Sequence, residues 1–442
     1  MKITRLLSII CILFLSNIVL IINQLQNHFI LCATLIVLSF IFFVSYNVNP
    51  RFKRKNIKRL EVLIGGRELI INSFIVFISD ICLNIYFFSK TEFALSIIIA
   101  NMIFTLIVLL IMMINGTIRF ISISTQLSVI MRAVLFFTWW IPVVNFFIFL
   151  HCCRVVKREY LFAMAKDELN ESRKDNDVCK TKYPLLLVHG IFWRDWQLFN
   201  YWGRIPKELI RNGATVFYGN QQSAAPMIIC ATELKNQILS IVEKENCGKV
   251  NIIAHSKGGL DARYVISSLG MDEYVASLTT IGTPHGGSSL VDKILSKVPD
   301  SVVHIVAKRY NGIYKRLGDT EPDFYSGVCD LTTEQCIRFN ETVLNKENVI
   351  YQSYASKMSS FFSASFPLNI GYAMLKRMDG ENDGFVSVES SKWSDYLGSF
   401  KTKRNRGVSH GDMIDLMRKN IHGFDVCECY VSLVKRLKSM GL

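Results

Sequence analysis

A serine hydroxyl is a weak nucleophile. It becomes useful when a base takes its proton, a carboxylate holds that base, and backbone N–H groups receive the oxyanion. The segment Val250-Asn251-Ile252-Ile253-Ala254-His255-Ser256-Lys257-Gly258-Gly259 has the form such a serine needs. An apolar, β-branched run ends at Ser256, small residues stand two before it (Ala254) and two after it (Gly258), and a helical pattern follows. That spacing predicts a tight strand–turn–helix elbow that lifts the hydroxyl above a sheet. Ser256 is the candidate nucleophile, and the chemistry is acyl transfer.

The other parts can be sought in turn. The apolar run Leu185–Val188 leads directly into His189-Gly190-Ile191-Phe192. Gly190 lets the backbone turn so that the Ile191 N–H points into a cleft. The second oxyanion donor is the Lys257 N–H, at a helix N-terminus whose dipole favours negative charge. Phe192 and His189, on the same loop, are the candidate substrate-binding residues. Four histidines follow the serine: His285, His304, His410 and His422. His285 sits in a glycine-rich turn close to Ser256 in sequence, His304 in a helical stretch, and His422 before Gly423 at a helix end. His410 occupies a polar loop before a helix, the setting of a mobile base. The acid belongs to Asp379-Gly380-Glu381-Asn382-Asp383-Gly384, a loop entering a strand at Phe385-Val386. Asp383 lies at the strand edge, with Asp379 and Glu381 as rivals; position alone does not choose.

These groups must be carried by a rigid frame. From Tyr183 onward strands and helices alternate: Leu185–Val188 a buried strand, Gln197–Asn212 a helix, Thr215–Tyr218 a strand, Ser223–Glu245 a long helix. Val250–Ala254 then forms a strand, Gly259–Leu269 a helix and Val275–Ile281 a strand. The alternation predicts an α/β domain over 183–442 with a mostly parallel sheet and right-handed crossovers. Residues 290–317 mix apolar residues and lysines at helical spacing. They form either an ordinary surface helix pair or a helical lid insertion that keeps water from the pocket.

Residues 183–442 resemble the bacterial triacylglycerol lipases of the α/β-hydrolase superfamily. The resemblance rests on His189-Gly190, on the Ala254–Gly259 elbow with Leu260-Asp261-Ala262-Arg263-Tyr264, and on Gly282-Thr283-Pro284-His285-Gly286-Gly287-Ser288. Asn382-Asp383-Gly384 and Ser409-His410-Gly411-Asp412 complete it. It implies the α/β-hydrolase fold, a Ser256–Asp383–His410 triad, Ile191 and Lys257 as oxyanion donors, an acyl-ester substrate and no required cofactor. Some relatives carry a structural calcium, and Asp412 matches one ligand position by its spacing from His410. No second aspartate stands between Asp330 and Asp379, and capping of a helix Met413–Lys419 explains Asp412 equally well. Ala254 replaces the glycine common two residues before the nucleophile.

The first third of the chain differs in kind. Half of all 442 residues are apolar and mean hydropathy is positive. The apolar residues concentrate in blocks near 6–22, 29–45, 69–88, 93–114 and 133–151, each long enough to cross a bilayer. Five spans over 1–153 predict an all-α transmembrane bundle, with 154–182 as a charged juxtamembrane linker. About +10 of the +14 formal charge lies in residues 1–159. Membrane topology accounts for it, and no nucleic-acid motif stands elsewhere. Arg51, Lys53, Arg54, Lys55, Lys58, Arg59 and Arg67 follow the second block and mark the cytoplasmic side. An odd number of spans then puts the catalytic domain on the outer face of a cell membrane. Arg154, Lys157 and Arg158 argue the other way, as would a re-entrant block or a sixth span near 118–130. Cys329 and Cys336 could bridge locally in an outer domain, and no zinc-type cysteine ladder is present. Asp80 and Asn84 share a helix face inside the third block.

The reading is a membrane-anchored serine ester hydrolase acting on lipid acyl esters. An acyltransferase or thioesterase could use the same residues. A transport or sensing module with a secondary hydrolase domain is the reading from another class. Partners beyond substrate and membrane, and the oligomeric state, are not readable.

Overall fold

The structure, a computed structural model, describes residues 2–25, 27–51, 58–90, 93–138, 141–192, 200–402 and 406–442. The chain divides into two compact units, Met1–Leu169 and Asn170–Leu442.

The first unit is helical: α1 (Lys2–Ser16), α2 (Ile18–Gln24), α3 (Phe29–Val48), α4 (Lys58–Lys90), α5 (Leu95–Ile123), α6 (Val129–Phe137) and α7 (Pro142–Glu171). Three of these, α3, α4 and α5, are long and apolar enough to cross a membrane. The count becomes four if α1 and α2, bent by 61° at Asn17, form one broken span. Five were expected. The fifth block is divided instead: α6 ends at Phe137, capped by Thr138, and α7 begins at Pro142. Proline suits the first turn of a helix and does not continue one from behind. The first part of the charged stretch 154–182, expected as a linker, is the continuation of α7 to Glu171. Lys53, Arg54 and Lys55 of the basic loop lie outside the described residues.

The second unit is built on β1 (Leu185–Val188), α8 (Ile205–Arg211), β2 (Val216–Tyr218), α9 (Met227–Glu245), β3 (Val250–His255), α10 (Lys257–Ser267) and β4 (Val275–Ile281). It continues through α11 (Ser289–Lys297), α12 (Asp300–Arg316), α13 (Phe324–Cys329), α14 (Thr333–Thr342), β5 (Ile350–Ser356), α15 (Leu368–Met378), β6 (Asp395–Phe400) and α16 (Val426–Ser439). All six strands are parallel, in the order β2-β1-β3-β4-β5-β6. Side chains alternate across a strand, so β1 feeds two cores. Leu185 and Leu187 pack with Leu209, Tyr430, Val434 and Leu437 from α8 and α16. Leu186 and Val188 pack with Leu234, Ile238, Val265 and Ile266 from α9 and α10. A sheet buried on both faces explains why these strands read as unbroken apolar runs.

Several boundaries differ from expectation. The helix expected from Gln197 is α8, starting at Ile205; Gln197–Phe199 lie outside the described residues. α9 starts after Pro226, four residues later than the pattern proposed. Residues 290–317 are a helix pair, one of the two forms expected, with Val298-Pro299 separating α11 from α12. Asp383 does not enter a strand. It sits in a bend closed by the antiparallel bridge Asn382↔Ser387. The helix expected over Met413–Lys419 is only a short 3-10 turn, Asp412–Ile414.

Candidate active site

Strand order reverses between β1 and β3, and ligands of open α/β sheets bind at such a switch point. The register Val188↔Ala254 sets the His189-Gly190 loop beside His255-Ser256. Ser256 itself has φ 54° and ψ −132°, a sterically costly conformation for a residue with a β-carbon. Its N–H donates to Ile281 O (3.0 Å), which fastens the elbow to β4. The surroundings leave little room. A β-carbon on Gly190 would stand 2.8 Å from Ser256 Cβ and 2.9 Å from the Tyr201 hydroxyl. One on Gly258 would collide with His189 O. The small residues around the serine are thus set by the approach of the β1 loop.

Beyond β5 the chain supplies a histidine and a carboxylate. His410 Nδ1–H donates to Asp383 Oδ2 at 2.8 Å. Asp383 Oδ1 accepts from Phe385 N (2.9 Å) and Val386 N (2.8 Å), and Asp383 O accepts from His410 N (2.9 Å). The carboxylate is almost fully buried, while His410 keeps about an eighth of its side chain exposed. Its ring centroid lies 4.5 Å from that of His255, next to Ser256. With Nδ1 engaged by Asp383, Nε2 is the nitrogen left for chemistry. The rival acids point elsewhere: Glu381 Oε1 accepts from Lys357 Nζ (2.6 Å), and Asp379 ends α15.

On the oxyanion side, the Lys257 amide opens α10 as its first residue. The Phe192 N–H donates to Ser223 O (3.2 Å), which leaves Ile191, buried on the same loop, as the candidate for the other donor. Phe192 has φ 79°, and its ring meets Phe324 (5.4 Å) of α13 and Tyr310 (6.3 Å) of α12. The Tyr314 hydroxyl donates to Phe192 O. The helices over 290–317 therefore contact the loop beside the serine. His189, expected at the substrate, is buried instead, with Nδ1 2.8 Å from Gly190 O and Nε2 2.9 Å from Gln221 O. Its ring braces the loop from below.

Sequence reading passed over Tyr201 and His255. The Tyr201 hydroxyl accepts from Gly190 N (3.0 Å) and lies 2.6 Å from His255 Nδ1. It links the oxyanion loop to the elbow. The available signal was His255: a histidine ending a fully buried strand needs a polar partner. Burial, aided by neighbouring His410, holds His255 well below the usual histidine range; burial, aided by Arg263, does the same for His285. Both rings stay neutral when folded and charge only on unfolding. As the folded value lies below the unfolded one, stability present above about pH 6.5 is lost as pH falls. Each ring therefore adds to the loss of stability as pH falls from 7 to 6. The thermal midpoint of the second unit is expected to drop over that interval; an unchanged midpoint would mean that the rings are protonated in the fold.

The Lys257 side chain turns away from the serine into the core. Its Nζ lies 2.7 Å from Asp261 Oδ1, 3.6 Å from Cys230 Sγ and 3.9 Å from Asp330 Oδ2. Removing one partner of such a buried pair strands the other charge. Asp261→Ala is expected to cost about 3–5 kcal/mol in unfolding free energy, while the double exchange Lys257→Met/Asp261→Leu costs far less. Denaturant titration of the two variants checks this, and equal losses would refute it.

The remaining candidates are placed as follows. His285 is packed between Thr280 Oγ1 (3.0 Å) and Arg263 (3.2 Å), with Trp393 stacked on it. His304 faces Tyr325 on the insertion, and His422 is exposed. Cys329 and Cys336, which could have bridged in an outer domain, are free thiols. Cys336 Sγ is instead buried against Pro284 O and Asp330 O, both at 3.4 Å. Asp412 Oδ2 accepts from Ser409 N (3.0 Å) and Ser409 Oγ (2.7 Å), and Arg406 lies 3.2 Å away. A guanidinium at that distance does not fit a calcium ligand set. Among the described residues no three His, Cys, Asp or Glu side chains gather as a metal site.

No family model matches the chain. It is similar to triacylglycerol lipase 2 of Saccharomyces cerevisiae, 28% identical over 278 residues, 61% of this chain and 74% of that protein. A triacylglycerol lipase of Vibrio cholerae is 32% identical over 171 residues, 37% of this chain. This chain spans about half (54%) of the length of that relative. One of Pseudomonas fragi is 27% identical over 299 residues, 60% of this chain and 100% of that protein. Among solved structures, similarity extends to the mature Bacillus licheniformis lipase BlEst2 (TM-score 0.42, 23% identity, 53% of this chain, 88% of that one). It also extends to the metagenomic carboxyl esterase MGS0156 (TM-score 0.47, 14% identity, 59% and 76%). With the parallel sheet and its elbow serine, the similarity to these lipases makes the chain a carboxylic ester hydrolase.

Proposed function

We propose that the chain is a membrane-anchored serine hydrolase that cleaves acyl esters of lipids through Ser256, His410 and Asp383. The observation that carries this reading is the 2.8 Å contact between His410 Nδ1 and a buried Asp383, standing beside a serine on a strained elbow. His410 Nε2 takes the Ser256 proton as Oγ attacks the acyl carbonyl. Asp383 keeps the ring oriented and stabilises the imidazolium that forms. The amides of Ile191 and Lys257 receive the oxyanion. His410 then returns the proton to the leaving alkoxide, and water, deprotonated by the same nitrogen, releases the fatty acid. The cycle needs no cofactor.

The aromatic wall of Phe192, Tyr310 and Phe324 supports a long apolar acyl chain as the group bound. The apolar helices α3, α4 and α5 support anchoring in a membrane, where such esters are concentrated. The positive charges after the second apolar block mark the cytoplasmic side; α4 and α5 return the chain to that side, so an outer-face catalytic unit requires one further crossing, by α7.

Labelling the full-length protein with a fluorophosphonate tests the mechanism. The serine oxygen displaces fluoride at phosphorus, and mass spectrometry of the peptide bearing Ser256 is expected to carry the adduct. A protein that turns over esters yet is labelled elsewhere would refute the assignment. Reaction of Cys329 with an impermeant maleimide in intact cells is expected for the outer face, and its protection until lysis would place the unit inside.

A further inference from the structure

The helical unit contains a buried polar cluster that ester hydrolysis does not use. It forms where α1 breaks into α2. Asp80 on α4 is 5% exposed. Its Oδ1 accepts from Asn17 Nδ2 (2.7 Å), at the break, and its Oδ2 accepts from Asn84 Nδ2 (2.9 Å). Asn101 on α5 donates from Nδ2 to Asn17 Oδ1 (3.0 Å). The Thr105 hydroxyl donates to Ser16 O (2.9 Å) and lies beside the Asp80 carboxylate. Asp80 stands ten residues from the end of α4, and Asn101 six from the start of α5. At 1.5 Å per residue, both lie roughly 9–15 Å from the turn between those helices, well inside a bilayer of about 30 Å.

Two facts separate this cluster from polar contacts that merely hold helices together. First, the carboxylate has no cationic partner among the described residues. An ionised carboxylate in an apolar bundle needs a counter-charge. Second, the amide oxygens Asn84 Oδ1 and Asn101 Oδ1 are buried and have no hydrogen-bond partner, although Asn101 is wholly inaccessible and Asn84 is only 7% exposed. Both belong to side chains whose other amide atom is engaged inside the cluster, so each oxygen is held within it. Orphaned acceptors beside an unneutralised carboxylate call for a cation.

We propose that Asp80, Asn84, Asn101 and the Asn17 break form a binding site for one monovalent alkali cation. The ligand type follows from the donors, which are hard oxygens. The charge follows from the single carboxylate: one positive charge neutralises it, whereas a divalent ion would leave a net charge in the apolar bundle. A broken helix presenting polar groups to an ion inside a membrane is a sound physical arrangement for this, because irregular backbone is tolerated at that depth where it is buried in protein, as here, or lines a cavity.

The probe is sodium, used on the full-length protein in nanodiscs. Binding of ²²Na⁺ is expected to saturate at about one ion per chain and to raise the thermal midpoint in sodium chloride over choline chloride at equal ionic strength. Asp80→Asn is expected to abolish both effects. Asn101→Ala, which removes one neutral ligand, is expected to weaken binding about tenfold or more. If Asp80→Asn does not fold, the Asn101→Ala affinity decides. Potassium or lithium competing better than sodium would support the site with a different preferred ion. No saturable binding of any of the three, or equal binding in both variants, overturns the proposal; so does a response to pH alone, which would make Asp80 a proton carrier. Ester hydrolysis serves as the fold control, since neither substitution touches Ser256, Asp383 or His410.

Discussion

Ser256→Ala is expected to lower kcat/KM toward a chromogenic acyl ester by roughly 10⁴–10⁶-fold. Little else should change. The hydroxyl is a minor part of the packing, alanine carries the same β-carbon into the same left-handed backbone, and the His410–Asp383 contact does not depend on it. Yield and thermal midpoint are therefore expected to stay near those of the unaltered protein. The measurement is steady-state kinetics on purified protein beside a thermal scan. Residual hydrolysis within tenfold of the parent would remove Ser256 from the mechanism, whatever the relatives do.

Asp383→Asn is expected to cut kcat by about 10⁴-fold with much smaller change in KM. The reason lies in the two backbone donors. Phe385 N–H and Val386 N–H both point at Oδ1, so the carbamoyl oxygen of asparagine takes that place and its NH2 faces His410 Nδ1. The ring must then carry its proton on Nε2, where it cannot accept one from serine. Labelling by fluorophosphonate should slow in step with kcat, since both need the same proton transfer. Loss confined to KM would instead mean that Asp383 shapes the pocket and that the ring is oriented by something else.

How far these residues could be read from the chain differs by position. Ser256 was legible because the elbow imposes small neighbours, and the strand before it is apolar on both faces. β1, β3 and β4 share that double burial. β5 and β6 do not: Ile350 and Asp395 are exposed, and polar residues interrupt both strands, so no apolar run announces them. Asp383 is legible from its motif, but its setting is not. A glycine after an acid predicts a bend into a strand, whereas the bend closes on itself through Asn382 and Ser387. Tyr201 left no mark at all, because its role depends on a loop approach that links residues 11 and 54 positions away. In the helical unit, composition located the apolar blocks. It did not show that Asn17 would bend the first block, or that Thr138 and Pro142 would divide the last.

The crowding around Gly190 and Gly258 bears on how this protein could be altered. Even one methyl group at either position meets Ser256 or the backbone of His189, atoms that cannot retreat without moving the reaction centre. Evolutionary drift and laboratory selection alike should find those sites closed. Variation is less constrained at the aromatic cluster of Phe192, Tyr310 and Phe324, where side chain meets side chain and no backbone atom of the elbow stands in the way. The molecule thus separates a portion that tolerates no novelty from a portion where novelty is cheap, and new substrates would be acquired from the second.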